Sequence, residues 1–539
     1  MSLRSSWRIG CSTRRMAFTR RLFLERIAGT AGAAMTYEAM VALGLVAVPE
    51  SARAFALQGP APANTEVLIL GAGLAGMSTA YELGKLGYHC TILEARTRPG
   101  GRCHTIRKGT ASEEEGSTQV AAYDEGMYFN PGPMRIPHHH STTLGYAKEL
   151  GVPVEVFIEE NDNAYMHKTG AAGAKDTKYR RREVKSDITG YTSELLAKAL
   201  SPAALNAKLT KADAEAFVSY LKKNGGLDAT GKYAGTTKRG YKTRPGVGLE
   251  DGELSLPIPL HELLESRTPM SLQVEYLHGA PMFQIAGGTD RLAAGFAAKV
   301  GERIVYGAEV KEITQSADGI SVAYTVDGQA KKATAAYGVC TLPIPVMAGL
   351  PVADFSPVIK SGLGAVRYAQ VGKIGLQFKR RFWEEDDQIF GGNSTTDLDI
   401  SQVIYPSSGY LSKKGMLVGY YQIGAEAGVT GAKPHADREK MALSQGAAIH
   451  PQYPQEFETG FSVSWHRVPW TRGGWASWSA EGRKTTYAAM VKGDRRMYFA
   501  GDHMTYLIGW MNGALESGRS VAAAIHARAP QEQPVGASR

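Results

Sequence analysis

The residues Gly71-Ala72-Gly73-Leu74-Ala75-Gly76 follow an apolar run, Val67 to Leu70, and lead into a helical pattern. A second apolar run, Cys90 to Leu93, ends on Glu94, eighteen residues past Gly76. This strand–turn–helix–strand order is the context that a dinucleotide site requires. Gly71 permits the tight turn, and Gly73 lets a pyrophosphate approach the backbone at a positive helix N-terminus. Gly76 allows the helix to lie close on the strand, and Ala75 is counted with the glycines as a cofactor-binding position. A carboxylate at Glu94 suits the ribose hydroxyls of an adenosine. Downstream lie Ala95, Arg96 and then Pro99-Gly100-Gly101-Arg102, where two arginines flank a Gly-Gly turn. Guanidinium forks there match phosphate oxygens.

The run E-A-R-x-x-P-G-G-R resembles the flavin-dependent amine oxidases, in which this loop wraps the FAD pyrophosphate. Tyr498-Phe499-Ala500-Gly501-Asp502 resembles that family's last strand and its acidic FAD contact. Gly509-Trp510-Met511-Asn512-Gly513-Ala514 opens a helix expected to reach about Ile525 and to aim its N–H groups at the flavin ring. Gly287 to Leu292 and Val339 to Pro343 match middle segments, so the resemblance covers most of the chain after residue 64. The resemblance implies an α/β fold: a discontinuous Rossmann-like FAD domain (64–110, 285–365 and 488–530, with Val310 at the cofactor) and a mixed-sheet substrate domain (111–174, 271–284 and 366–487). A helical insertion is expected at 175–270. It is predicted from the apolar rhythm of Leu195, Leu196 and Leu200 and from the capping-box-like pair Thr210 and Asp213.

Gly132-Pro133-Met134-Arg135-Ile136-Pro137 is similar to a turn of the L-amino acid oxidase branch. The resemblance implies that Pro133, Met134 and Arg135 lie beside the flavin and that Arg135 grips an α-carboxylate. A planar guanidinium suits that task, because it stays charged when desolvated. Taken without the resemblance, Arg135 reads as a structural ion pair or a flavin phosphate contact. By the same likeness Tyr421 is a second carboxylate donor, with Tyr420 as the register alternative. Lys373 would hold a water near flavin N5, although a lysine in a strand otherwise suggests a solvated edge. Gly509 and Trp510 would supply a carbonyl and an aromatic wall, and Trp475 the pocket roof, unless Trp475 is a core tryptophan. Trp475 stands where monoamine oxidases carry a flavin-linking cysteine, which implies noncovalent FAD.

The implied activity is oxidation of an L-amino acid by hydride transfer from Cα. Dioxygen is the acceptor, and a 2-oxo acid, ammonia and hydrogen peroxide are released. An amino-acid 2-monooxygenase, an amine or polyamine oxidase, and a flavoprotein without catalysis are the alternatives. A homodimer or higher homo-oligomer is expected.

Composition bounds these readings. The chain has 539 residues, 43% apolar and 21% charged, which suits two or three globular domains. The net charge is +9, of which residues 1–54 carry +5. No nucleic-acid partner is expected, and Lys178-Tyr179-Arg180-Arg181-Arg182 reads as a solvated loop. Glu113-Glu114-Glu115 reads as part of another exposed loop. Four cysteines show no zinc spacing, and His138-His139-His140 diverge on any regular backbone, so no metal site is expected. Thr19-Arg20-Arg21-Leu22-Phe23-Leu24 resembles a twin-arginine export signal, followed by a weakly apolar stretch to Val48. Residues 1–56 are therefore expected to be an export leader to the periplasm or exterior. Stable membrane insertion is not expected, because Glu38 interrupts the apolar stretch.

Changing Arg20 and Arg21 to Lys keeps the charge but removes the guanidinium pair. Fractionation of a bacterial host should then find the protein retained in the cytoplasm; unchanged export would refute the leader.

Overall fold

The computed structural model describes residues 55–170, 175–181, 210–225, 241–243, 245–254, 278 and 281–532. The export leader and the helix expected near Leu195 lie outside these residues.

Five parallel strands form the first sheet, in the order Ile304–Tyr306, His89–Glu94, Glu66–Leu70, Tyr337–Cys340 and Met497–Phe499. They come from three separate stretches of chain. Apart from Val305 and Tyr306 on the edge strand, their apolar residues are buried, as suits a parallel sheet covered on both faces. The helix Leu74–Lys85 covers one face and packs against the C-terminal helix Met511–Arg528. The two helices nearly touch: a Cβ at Gly518 would lie 2.6 Å from Ala75 O. Thr79 Oγ1 donates across the contact to Gly518 O at 3.1 Å. On the other face lies an antiparallel trio, Glu309–Gln315, Ile320–Val326 and Gln329–Ala335, joined by the short parallel strand Val352–Ala353.

The second large sheet has seven strands, in the order Phe457–Ser464, Val371–Phe378, Gly415–Ile423, Gln402–Ile404, Asn393–Thr396, Tyr165–Lys168 and Thr177–Arg180. It is mixed, since Asn393–Thr396 and Tyr165–Lys168 run parallel while the other pairs are antiparallel. A three-stranded sheet, Ile136–Pro137, Met282–Ile285 and Val154–Phe157, carries the segment around Arg135.

Two local expectations are corrected. The basic cluster is not a loop, because Thr177–Arg180 is the terminal strand of the seven-stranded sheet. Arg180 lies over the Tyr165 ring at 4.0 Å, and Lys178 Nζ donates to Ile449 O at 2.8 Å. Cross-strand pairing thus pins the charged stems on protein surface. The helical insertion expected at 175–270 is described only in part. Its described parts include this strand, the helix Lys211–Gly225 and the pair Tyr241–Thr243 with Glu253–Leu254. The expected capping box is present at Lys211–Gly225: Thr210 N donates to Asp213 Oδ2 at 3.0 Å and Asp213 N to Thr210 Oγ1 at 3.1 Å. The acidic triplet is not a uniformly exposed loop. Glu114 is buried and accepts from both Nη atoms of Arg438, at 2.9 and 2.8 Å.

Cys90, Cys103 and Cys340 are buried free thiols. Among the described residues no helix is long and apolar enough to cross a membrane, and no cluster could hold a metal ion.

Candidate active site

A cavity of about 490 Å³ opens at the carboxyl ends of the parallel strands and runs toward the seven-stranded sheet. Its wall includes Gly71, Gly73, Ala75, Glu94, Ala95, Arg96, Gly101, Arg102, Pro133 and Val310. Lys373, Tyr421, Trp475, Asp502, Gly509, Trp510 and Met511 complete the wall among the residues singled out from sequence. Gly76, Met134 and Arg135 do not reach it. Gly76 is used for packing, since a Cβ there would lie 2.1 Å from Gly71 O. Met134 sits under Lys373, with its sulfur 3.4 Å from Nζ. Arg135 stands past that contact, against Glu159.

The dinucleotide end is built from backbone. Gly71 has φ +104°, which favours glycine, and its N–H donates to Leu93 O at 2.8 Å. A Cβ on Gly73 would meet nothing within 4 Å, so the wall opens at that point. The helix beginning at Leu74 has no side-chain cap at Gly73, which leaves its first N–H groups at the cavity. The helix Met511–Arg528 likewise has no side-chain cap at Trp510. Two positive helix ends therefore border one cavity, an arrangement that suits an anionic dinucleotide. The Glu94 carboxylate is held by the N–H of Ala72 at 2.8 Å and of Arg96 at 2.9 Å.

The arginines are held by acids. Arg96 Nε donates to Glu113 at 2.9 Å, and Arg98 binds Glu113 through Nε and Nη2 at 2.7 and 2.9 Å. Burial alone would raise the Glu113 carboxyl, but Arg96 and Arg98 outweigh it and bring it down to about 2. Arg102 reaches Asp502 and Gly474 O. Asp502 also accepts from Gly509 N–H at 2.9 Å. Burial opposes the charge on Asp502, yet Arg102 holds its carboxyl below the usual range. His503 also lines the cavity. Burial pushes its imidazole down to about 4, and among the described residues Nδ1 has no hydrogen-bond partner.

The other end centres on Lys373. All eight residues of Val371–Phe378 are buried, with a strand paired on either side, so Lys373 is central rather than on a solvated edge. Nζ donates to Gly132 O at 2.8 Å and lies 4.4 Å from the Tyr421 ring centre. Gly132 must be glycine, because a Cβ would lie 2.0 Å from Arg102 O. Burial first, then the Arg135 charge, push the Lys373 amine down to about 7, against the opposing pull of Glu159. Alternation along Gly415–Ile423 turns Tyr421 to the cavity and leaves Tyr420 in the core. Trp475 packs 3.7 Å from where a Cβ on Gly509 would stand. Trp510 meets His140 and His278 edge-on, with ring centres 5.0 and 5.9 Å apart.

Arg135 Nη1 donates to both oxygens of Glu159, at 2.7 and 2.8 Å. Among the described residues Nε and Nη2 make no hydrogen bond. The ion pair that Arg135 suggested without the family likeness is therefore present, and the guanidinium keeps donors to spare. Glu159, Glu113 and His503 were not singled out as site residues. His503 could have been found from its place beside Asp502. No spacing rule links Glu159 to Arg135.

A parallel sheet with two helix N-termini at a cavity on its strand ends has the arrangement that suits a dinucleotide, and a second sheet brings a buried lysine to the same cavity. The chain belongs to the flavin containing amine oxidoreductase family, whose model matches residues 74–526. It is 28% identical over 470 residues to a putative L-amino-acid oxidase of Bacillus subtilis, YobN, covering 85% of this chain and 93% of that protein. It is 27% identical over 481 residues to an L-amino-acid oxidase of Gloydius blomhoffii, covering 86% and 90%. Solved structures of putrescine oxidase and of cyclohexylamine oxidase from Brevibacterium oxydans share the fold. Each has a TM-score of 0.58 and covers 86% of this chain and 99% of its own, at 18% and 19% identity. The protein is thus a flavin-dependent oxidase.

Lys373 carries a stability consequence. Its amine is lowered below the unfolded value, so the burial cost is fully present below pH 7 and is relieved as pH rises toward the unfolded value of about 10.5. Lys373→Met removes that cost. The Tm difference between variant and wild type should favour the variant most near pH 6 and narrow by pH 9; a constant difference would contradict the lowered amine.

Proposed function

We propose that the protein oxidises L-amino acids to 2-oxo acids, ammonia and hydrogen peroxide, with FAD bound noncovalently. The observation that carries this reading is Arg135, one contact beyond Lys373, with Nε and Nη2 still able to donate. An edge of a guanidinium offers two parallel N–H groups to a carboxylate. A simple amine has no use for that edge. The names of the related proteins agree.

FAD, when bound, accepts the hydride from Cα and passes both electrons to dioxygen. The chain's residues do the rest by binding and orientation. Arg135 takes the α-carboxylate, and the Tyr421 hydroxyl donates a second hydrogen bond. Trp475 and Trp510 wall the pocket and exclude water. The Gly509 carbonyl is assigned to the substrate amine. Lys373, tied to Gly132 O, retains protons for a water that supports reoxidation. Trp475 stands where a linking cysteine would be needed, so the flavin has no covalent tether there.

An amine oxidase is the second reading. It is favoured by the Arg135–Glu159 pair, which can be structural, and by the amine oxidases among the fold neighbours.

Acid precipitation should leave the flavin in the supernatant; flavin in the pellet would contradict noncovalent binding. Arg135→Met should lower kcat/KM on amino acids by at least about 30-fold, the lower end for truncating one member of a buried charge pair. Turnover of the matching decarboxylated amine should be spared. Retained amino-acid activity would transfer the protein to the amine-oxidase reading.

A further inference from the structure

Glu159 is the acid at the substrate end of the site. Its backbone is clamped: Asn393 Nδ2 donates to Glu159 O at 2.8 Å, and the preceding N–H, of Ile158, donates to Ser407 Oγ at 2.9 Å. Its side chain is 13% exposed and that of Arg135 18%, so water screens neither strongly. Both carboxylate oxygens accept from the single nitrogen Nη1 of Arg135. His278 Nδ1 lies 4.0 Å from Oε1. Arg135 and Glu159 are also the two charges that act on both Lys373 and the Tyr421 hydroxyl.

This arrangement divides the guanidinium. Nη1 belongs to Glu159, while Nε and Nη2 remain. One α-carboxylate can be taken there, and the local charge is then Arg135 against two carboxylates. A second carboxylate, on the substrate side chain, would enter a half-buried region where the nearest cation is already shared. Like charges brought together in an interface repel, whereas an uncharged amide of the same shape meets no such penalty.

We infer that Glu159 is a specificity-determining residue: it holds Arg135 by Nη1 and its charge bars amino acids with acidic side chains, so that the substrates are neutral or cationic L-amino acids. This rests on reading Arg135 as the carboxylate anchor. The isosteric pair L-glutamine and L-glutamate isolates the charge. The wild-type holoenzyme should favour L-glutamine in kcat/KM by about 10-fold or more. Glu159→Gln should shrink that ratio by about 10-fold, mainly through better use of L-glutamate, while Glu159→Asp should keep it. The same comparison can be made at equilibrium by titrating glutarate and its monoamide and following the flavin absorbance. The monoamide should bind tighter to wild type, and Glu159→Gln should remove the difference.

Equal use of the two amino acids by wild type would overturn the inference. So would a Glu159→Gln variant that weakens both substrates equally with the ratio unchanged, which would make Glu159 only a support for Arg135. The anchor reading fails separately: Arg135→Met would then leave the binding of glutarate and its monoamide unaltered. If Arg135→Met abolishes both while Glu159→Gln leaves their ratio intact, the anchor stands and only the role of Glu159 falls.

Discussion

The half-buried pair between Arg102 and Asp502 holds the wall of the cavity together. Arg102 comes from the arginine loop after the second strand and Asp502 from the end of the last strand, 400 residues later. The same guanidinium reaches Gly474 O beside Trp475, and the same carboxylate receives the N–H of Gly509. Four segments of the wall therefore meet at one charge pair. Removing Arg102 would leave the buried Asp502 carboxylate without its cation. The start of the C-terminal helix depends on the pair as well, since Gly509 lies just before its N-terminus.

A second buried charge ties this end to the other. Lys373 stands in the middle of the seven-stranded sheet, where burial disfavours its ammonium. What it gains is a bond to Gly132 O and contact with Met134 and Tyr421. Gly132 in turn lies against the Arg102 backbone. The turn that presents Arg135 is thus pressed between the arginine loop and the sheet lysine. Arg135 ends where the next strand begins and meets Glu159 instead of the cavity wall. The glycine-rich end of the cavity and the Lys373 end are parts of one packed unit.

The features legible in the sequence are those made by local backbone. The turn from Gly71 to Gly76 needs a positive φ, an open wall and a close helix, and only glycine supplies all three in so short a span. Glu94 closes the following strand, and its carboxylate bonds the N–H groups of that same unit. The strand before Asp502 and the helix after Trp510 were legible through their resemblance to the amine oxidases. The same resemblance pointed to Tyr421, with Tyr420 as the register alternative.

Tertiary structure decided what depends on partners far along the chain. Which tyrosine faces the cavity follows from pairing of Gly415–Ile423 with Val371–Phe378, and so does the central position of Lys373. Glu114 looked exposed because Arg438, its partner, lies 324 residues away. The basic run from Lys178 looked solvated because the Tyr165 ring it covers belongs to another strand. Arg135 was recognisable by type, but its partner Glu159 was not, since residues 24 apart share no helical or strand period. Period and turn chemistry are properties of neighbours, and a sequence records them directly. Charge pairing in a half-buried site is a property of distance in space, and only the folded chain sets that distance.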